Sequence, residues 1–320
     1  MKQNTFNIIR YHPDSYVIWN DFVANSKSAT FLFHRDFMAY HQDRFEDFSL
    51  MIYKNESLLA LFPANRVNNV VYSHQGLTYG DLIYLDILDF NTRQTICKML
   101  LDHLSRHHIK SIIIKTLPEF YHSDLFSKTS CFQSIKKVSV IKKNRVLAID
   151  YNGNFKIHKT KVKRYKKIES SGFNIRQNES EFEVFWNSIL IPRLKEKHNS
   201  QPVHSLSEIL FLHHKFENEI IQYTIYQEDE LLAGITIFKK GKVVKSQYGM
   251  ASVNGEKLNA LDMLFVYLIY KCQDEGIEYF SMGTVNNDSK IGYSEGMLKQ
   301  KQELGCSMYS QDILKVILHD

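Results

Sequence analysis

The chain has 320 residues, 44% of them hydrophobic and 23% charged, with 40 basic against 35 acidic side chains. That balance excludes a disordered or collagen-like polymer, and the length suits about two domains, each large enough to bury its own core. The mild basic excess accommodates an anionic ligand but does not mark a nucleic-acid binder by itself, and DNA is not an expected partner.

Met1-Lys2-Gln3-Asn4-Thr5 lacks the apolar stretch of a secretory signal, and the longest apolar-rich run, Met263 to Tyr270, falls well short of the ~20 residues that span a bilayer. The expectation is a cytoplasmic protein with no transmembrane segment. Cys97, Cys131, Cys272 and Cys306 show no CxxC spacing and suit reduced, buried thiols.

In chain order, Trp19 to Asn25 and Phe33 to Asp43 have helical character, and strands are predicted at Phe48 to Tyr53, Leu58 to Ala64, Val70 to Ser73 and Leu82 to Tyr84. A capped helix from Asn91 to His107 precedes a strand at Ser111 to Lys115. Tyr151-Asn152-Gly153-Asn154 reads as the boundary, giving domains of 1–152 and 153–320. The second half opens with a basic helix, Phe155 to Glu169, ended near Ser170-Ser171-Gly172, and a helix from Ser180 to Lys197 containing Trp186. A loop with Pro202, a helix (Ser207 to Phe216) and three strands (Ile220 to Tyr226, Leu231 to Phe238, Val243 to Tyr248) follow. Then come a long helix (Leu258 to Cys272), a strand (Tyr279 to Met282), a helix (Gly292 to Gln302) and a last strand (Met308 to Ile317).

An ungapped internal echo organises this series. Ile52 to Gly76 and Ile225 to Gly249, offset by 173 residues, share nine identities over 25 positions, and both read strand, turn, strand, turn, strand. One long offset seen twice indicates duplication of a whole domain, not a solenoid. The fold class is therefore α/β (α+β), two related domains with mixed sheets flanked by helices.

Glycine is scarce, 13 in all, yet nine lie between Gly234 and Gly305, so the second domain is the better candidate for ligand binding. Two connections there are candidate sites. Met250 to Lys257, with Met250, Ala251, Ser252 and Gly255, is expected to offer backbone N–H groups to a phosphate at a helix N-terminus. Gly283-Thr284-Val285-Asn286-Asn287-Asp288-Ser289, with Gly283 and Asn286, opens beyond a strand end, where ligand crevices form in α/β sheets. Both are equally readable as solvated connections. There is no GxGxxG, P-loop, GxSxG or HExxH, and the histidine pairs lack partners at metal spacing, so no metal is expected.

The second domain resembles the GNAT acyltransferases, more closely the double-domain branch shared with the Fem-type aminoacyl transferases of peptidoglycan synthesis. Pro202 to Ile209, Leu232-Ala233-Gly234, Ser246-Gln247-Tyr248, Tyr279 to Gly283 and Gly296 to Gly305 carry the likeness. In the first domain, Ser73 to Gly80, Thr30-Phe31-Leu32-Phe33 and His41-Gln42-Asp43-Arg44-Phe45 resemble the branch found in surface-polysaccharide gene clusters. The resemblance implies tandem GNAT-like domains and acyl transfer to an amine, with acetyl-CoA as the commonest donor and the amine of a nucleotide- or lipid-linked amino sugar as acceptor. An aminoacyl-tRNA-dependent transferase acting on a cell-wall precursor, or a non-catalytic binding protein, are the alternatives. The pyrophosphate signature of ordinary GNAT enzymes is absent, with Gly249 to Ser252 and Gly255 only a loose stand-in.

Such a reaction needs a base, oxyanion donors and an acid. His204 is the candidate base or else a polar loop residue; Glu208, four residues on, orients it or is a surface carboxylate. Tyr293 stands where GNAT-like enzymes often place a tyrosine acid, unless it only packs. Strand alternation sends only one of Gln247 and Tyr248 into a cleft. Their repeat counterparts make His74, Gln75 and Tyr79 expected acceptor contacts. Lys156, Lys159, Lys161, Lys163, Arg164, Lys166 and Lys167, with no acid among them, are a solvated face or contact phosphate of a nucleotide sugar, a lipid-linked precursor or tRNA.

Overall fold

The computed structural model describes residues 6–40, 42–85, 87–121, 130–135, 137–168, 171–287 and 289–319; Met1 to Thr5, His41, Glu169, Ser170 and Asp288, named above, lie outside them. The chain divides into unit 1, Met1–Asn144 with Ser310–Asp320, and unit 2, Arg145–Tyr309.

Unit 1 holds β1 (Phe6–Arg10), α1 (Tyr16–Asn25), α2 (Arg35–Ala39), β2 (Glu46–Asp47), β3 (Leu50–Lys54), β4 (Ser57–Phe62), β5 (Asn65–Val67), β6 (Val70–Tyr72), β7 (Ile83–Tyr84), α3 (Phe90–Arg106) and β8 (Ser111–Lys115). Then β9 (Val138–Asp150) passes into unit 2, which continues with α4 (Lys159–Tyr165), β10 (Phe173–Arg176), α5 (Ser180–Phe185), a π turn (Trp186–Leu190) and α6 (Ile191–His198). After α7 (Leu206–Lys215) come β11 (Ile220–Gln227), β12 (Glu230–Lys240), β13 (Val243–Ala251), α8 (Val253–Leu258), α9 (Ala260–Asp274), β14 (Tyr279–Thr284) and α10 (Glu295–Glu303). The final strand, β15 (Ser307–Ile317), returns to unit 1, where Ile313 to Ile317 pair antiparallel with β8. The backbone bonding of that strand moves the division from 152/153 to 144/145 and separates the chain's last residues from the domain that precedes them.

The repeat is visible in the backbone. β3 and β4 slip register between Ile52↔Ala60 and Tyr53↔Leu58, leaving Leu59 as a bulge; β11 and β12 slip between Ile225↔Ala233 and Tyr226↔Leu231, leaving Leu232. Asn55 and Glu228, again 173 apart, both turn with positive φ. The copies part at the next step. β12 runs unbroken through Thr236, whose hydroxyl donates to Gln222 at 2.6 Å, whereas the equivalent Pro63 has no N–H for a ladder and ends β4. Unit 1 consequently carries one sheet ordered β1-β3-β4-β7 and another in which β15, β8, β6, β5 and β2 are successive neighbours, where unit 2 keeps β10-β11-β12-β13-β14-β9 in a single sheet.

Each sheet buries an apolar face. In unit 1, Ile96, Cys97, Leu100 and Leu104 of α3, at helical spacing behind the N-cap Asp89, cover β3, β4 and β8. In unit 2, Met263, Leu264, Leu268 and Ile269 of α9 cover Ile235, Ile237, Val244 and Phe280. The opposite face takes α5 and the π turn, whose extra residue helps bury Phe185, Trp186, Ile189 and Leu190 together.

Several predicted bounds shift. Phe33 to Asp43 contains only α2, since Phe31–Phe33 is a 3₁₀ turn. The basic helix contracts to Lys159–Tyr165, capped by His158. Met250 to Lys257 is no loop: β13 extends to Ala251, Ser252 caps α8, and left-handed Asn259 separates α8 from α9. Gly255 is required there by packing, because a Cβ would lie 1.9 Å from the Leu232 carbonyl oxygen. Gly255→Ala is expected to destabilise the protein by about 1–3 kcal/mol, read as a lowered urea midpoint at unchanged slope.

Candidate functional site

The parallel pair β13 and β14 is short. It joins Val243 to Tyr279, Val244 to Phe280 and Lys245 to Ser281, and among the described residues the ladder ends there. β13 continues to Ala251 along β12, while β14 continues to Thr284 along β9. The half-buried stretch Ser246 to Met250 thus turns one backbone edge toward an opening, and such an edge accepts an extended ligand. In unit 1 the same place is zipped shut. Beyond Tyr72↔Ile113, Ser73 N–H donates to Ile113 O at 2.9 Å, Lys115 N–H to Ser73 Oγ at 2.9 Å and Gly80 N–H to Lys115 O at 2.7 Å. Gly80 is needed for this closure, since a Cβ would meet Ser73 O at 2.1 Å.

At the opening β13 bulges. Thr236 faces Tyr248 and Ile237 faces Ser246, so Gln247 is the extra residue. This corrects the alternation argument: the Gln247 side chain hydrogen-bonds Tyr248, so the two lie together, and Gln247 Oε1 also accepts from Lys245 Nζ at 2.5 Å. Tyr248 Oη accepts the His204 backbone N–H at 3.1 Å and lies 2.5 Å from His204 Nδ1. The shared proton sits on Oη in the Nε2–H tautomer of His204 and on Nδ1 in the other. Trp186 Nε1 donates to His204 O at 3.2 Å and its ring meets Tyr248 edge-on at 5.2 Å. Burial pushes the Tyr248 phenol up to about 12, so at neutral pH it is a proton donor and not a phenolate.

No protein-family model matches the sequence, and no curated protein matches it either. Solved structures do. FemX superposes with a TM-score of 0.68 at 9% identity, covering 97% of each chain. L-PGS from Bacillus licheniformis gives 0.62 at 13% identity over 97% of this chain and 93% of its own. A conserved protein of unknown function from Bacteroides thetaiotaomicron gives 0.56 at 7%, over 98% and 100%. The chain has a double-domain GNAT fold of the Fem type.

Within that fold the candidate residues fall into separate places. His204, Gln247 and Tyr248 meet on the sheet face under α5 and the π turn. Glu208 completes a capping box, its carboxylate accepting Ser205 N–H at 2.7 Å. Tyr293 belongs to the α9 face, where it packs on the core beneath Arg145, whose guanidinium lies 4.4 Å above the ring. Asn286 Oδ1 accepts Arg145 N–H at 2.7 Å, and Gly283, at φ 70°, turns the chain out of β14. In unit 1, Gln75 pairs twice with Asn65, at 2.8 and 2.7 Å, Tyr79 donates to Thr30 at 3.2 Å, and buried His74 meets Phe45 edge-on. All three stand on the closing turn.

The α8 end does not suit a diphosphate. Ser252 Oγ takes the Gly255 N–H at 2.9 Å, and Glu256 adds a carboxylate held by Arg193 at 2.8 Å and by Lys197. Nearby, Asp262 of α9 accepts Gln300 of α10 at 2.8 Å and Lys161 at 2.6 Å, and Lys161 also reaches Glu303 at 3.4 Å. Among the described residues no cluster of His, Cys, Asp or Glu is arranged to hold a metal ion, and no helix is long and apolar enough to cross a membrane.

Sequence reasoning missed Lys301. It is buried, donates to Thr284 O at 3.0 Å at the end of β14, and burial lowers its ammonium to about 8. Its position in Gly296 to Gly305 was the available signal; nothing in the pattern distinguished it from exposed Lys299. The unfolded chain holds a proton on this amine up to about 10.5. The stability this group contributes is therefore fully present above 10.5 and lost as pH falls through 8. Urea midpoints measured across that window should rise with pH in the wild type, and Lys301→Met should flatten the rise.

Proposed function

We propose that the chain transfers an activated acyl group to a primary amine, the acyl carbonyl lying along the open edge of β13 in unit 2. The observation that carries this reading is the parting of β13 from β14 beside the Gln247 bulge. An edge N–H freed from a ladder is the kind of donor that stabilises the oxyanion of a tetrahedral intermediate. No covalent enzyme species is needed. With His204 as its Nε2–H tautomer, the attacking amine's proton passes to Tyr248 Oη while the phenol proton passes to His204 Nδ1; as the tetrahedral intermediate collapses, the imidazolium returns a proton through Tyr248 to the departing ribose oxygen or thiolate sulfur. His204, 3% exposed, works through Tyr248 in this scheme and does not meet substrate itself.

Of the two donors implied by the resemblance, an aminoacyl ester of tRNA is favoured over acetyl-CoA. The reason is the α8 terminus, where Ser252 occupies a backbone donor and the neighbouring cations, Arg193 and Lys197, are already paired with Glu256. The acceptor class remains the amine of a nucleotide- or lipid-linked envelope precursor, an amino sugar or a peptide.

The decisive experiment supplies labelled aminoacyl-tRNA or acetyl-CoA with a panel of such amines. Label moving from tRNA to an amine supports the reading, transfer from acetyl-CoA replaces the donor, and no transfer from either rejects the enzyme. Tyr248→Phe and His204→Ala should each lower kcat by about 10²-fold or more with little change in KM; wild-type turnover in either removes the relay.

A further inference from the structure

The outward face of α4, with its flanking residues, carries charge of one sign. Between Lys156 and Lys167 the sequence has seven cations and no acid. Only Lys161 turns inward, to Asp262 and Glu303; Lys156, Lys159, Lys163, Arg164, Lys166 and Lys167 are exposed. Without these six, 40 basic side chains become 34 against 35 acids, so this one segment accounts for the whole net charge of +5. Cations concentrated this way repel one another, and an unselected solvated helix face interleaves both signs.

The face is also held in place. Ile157, Val162, Tyr165 and Ile168 pack on the α9 core, and the Lys161 ion pair pins the helix from beneath.

We infer that the outward face of α4 docks unit 2 on an anionic lipid bilayer. Three features select headgroups over RNA. The exposed cations are five lysines, compact point charges, and one arginine, where RNA base recognition draws on the planar arginine fork. No large aromatic or aliphatic side chain between Lys156 and Lys167 is exposed, so nothing stacks on bases or inserts into acyl chains. A single short helix presents a convex face, not a groove that tracks a strand. Clusters of four to eight lysines of this kind hold anionic lipid at about 1 kcal/mol per charge, through diffuse attraction that salt screens. Docking does not depend on the transferase reading, although it would bring the site to a lipid-linked acceptor.

The test uses the full chain and vesicles of phosphatidylcholine with or without phosphatidylglycerol, read by flotation at low and high salt. Expected are binding only to phosphatidylglycerol vesicles, release by salt, and a loss of about 100-fold or more in partitioning for K159Q/K163Q/R164Q/K166Q. The urea midpoint of that variant should match the wild type, and Lys156→Gln with Lys167→Gln, farther from the helix centre, should give a smaller loss. Absence of binding at low salt, binding that survives the quadruple substitution, or patch-dependent tRNA binding without vesicle binding would overturn the inference.

Discussion

A backbone edge that leaves its ladder needs new hydrogen-bond partners, and β13 leaves its ladder on one side only. Along β12 its ladder is continuous apart from the Gln247 bulge; toward β14 it stops after Lys245. The acyl-transfer site proposed for unit 2 follows from that half-satisfied edge. The bulge turns Gln247 and Tyr248 to the same side, the π turn brings Trp186 down on them, and His204 closes the set with two contacts to one phenol. In unit 1 the same backbone demand is met internally, by Ser73, Lys115 and Gly80, with a left-handed His74 making the necessary turn. Duplication supplied two similar frames, and the copies specialised by whether the chain fills its own gap.

Charge burial explains why some expected ligand contacts are engaged elsewhere. Lys161 was one of seven cations available to phosphate, yet it lies 4% exposed against Asp262. Glu256, near the expected phosphate loop, is held below the usual carboxylate range by Lys197 and Arg193. Glu181, buried beneath Thr224 and Tyr226 with both hydroxyls 2.7 Å away, fixes α5 on β11. Breaking one partner of such a pair leaves a charge stranded in low dielectric, so these contacts impose unique helix positions more than they add stability. Lys301 differs in having a carbonyl and not a carboxylate as its hydrogen-bond acceptor, so burial lowers its proton affinity with no paired charge to offset it.

What could be read from the amino-acid order was whatever short-range periodicity encodes. The strand-turn-strand echo at offset 173, the capped helix from Asn91, the helix from Ser207 and the apolar run of α9 are all local patterns, and the structure forms an element at each. The double-domain architecture followed from the echo and from the order of weak motifs. His204, Gln247 and Tyr248 were identified as residues of interest because they lie in segments that resemble the GNAT and Fem-type enzymes, His204 in a loop before a helix and the other two at a strand end.

Their relationship was decided only by tertiary structure. Alternation assumes an unbroken ladder, and a single extra residue opposite Thr236 and Ile237 reverses it, which no periodicity in the sequence announces. The return of β15 to β8, the inward turn of Lys161 and the different surroundings of Lys301 and Lys299 likewise depend on partners more than 100 residues away or on which side of a helix meets the core. Local chemistry determined which elements form. Long-range packing determined which of their side chains meet, because desolvation and hydrogen-bond satisfaction are properties of the assembled neighbourhood and not of the segment.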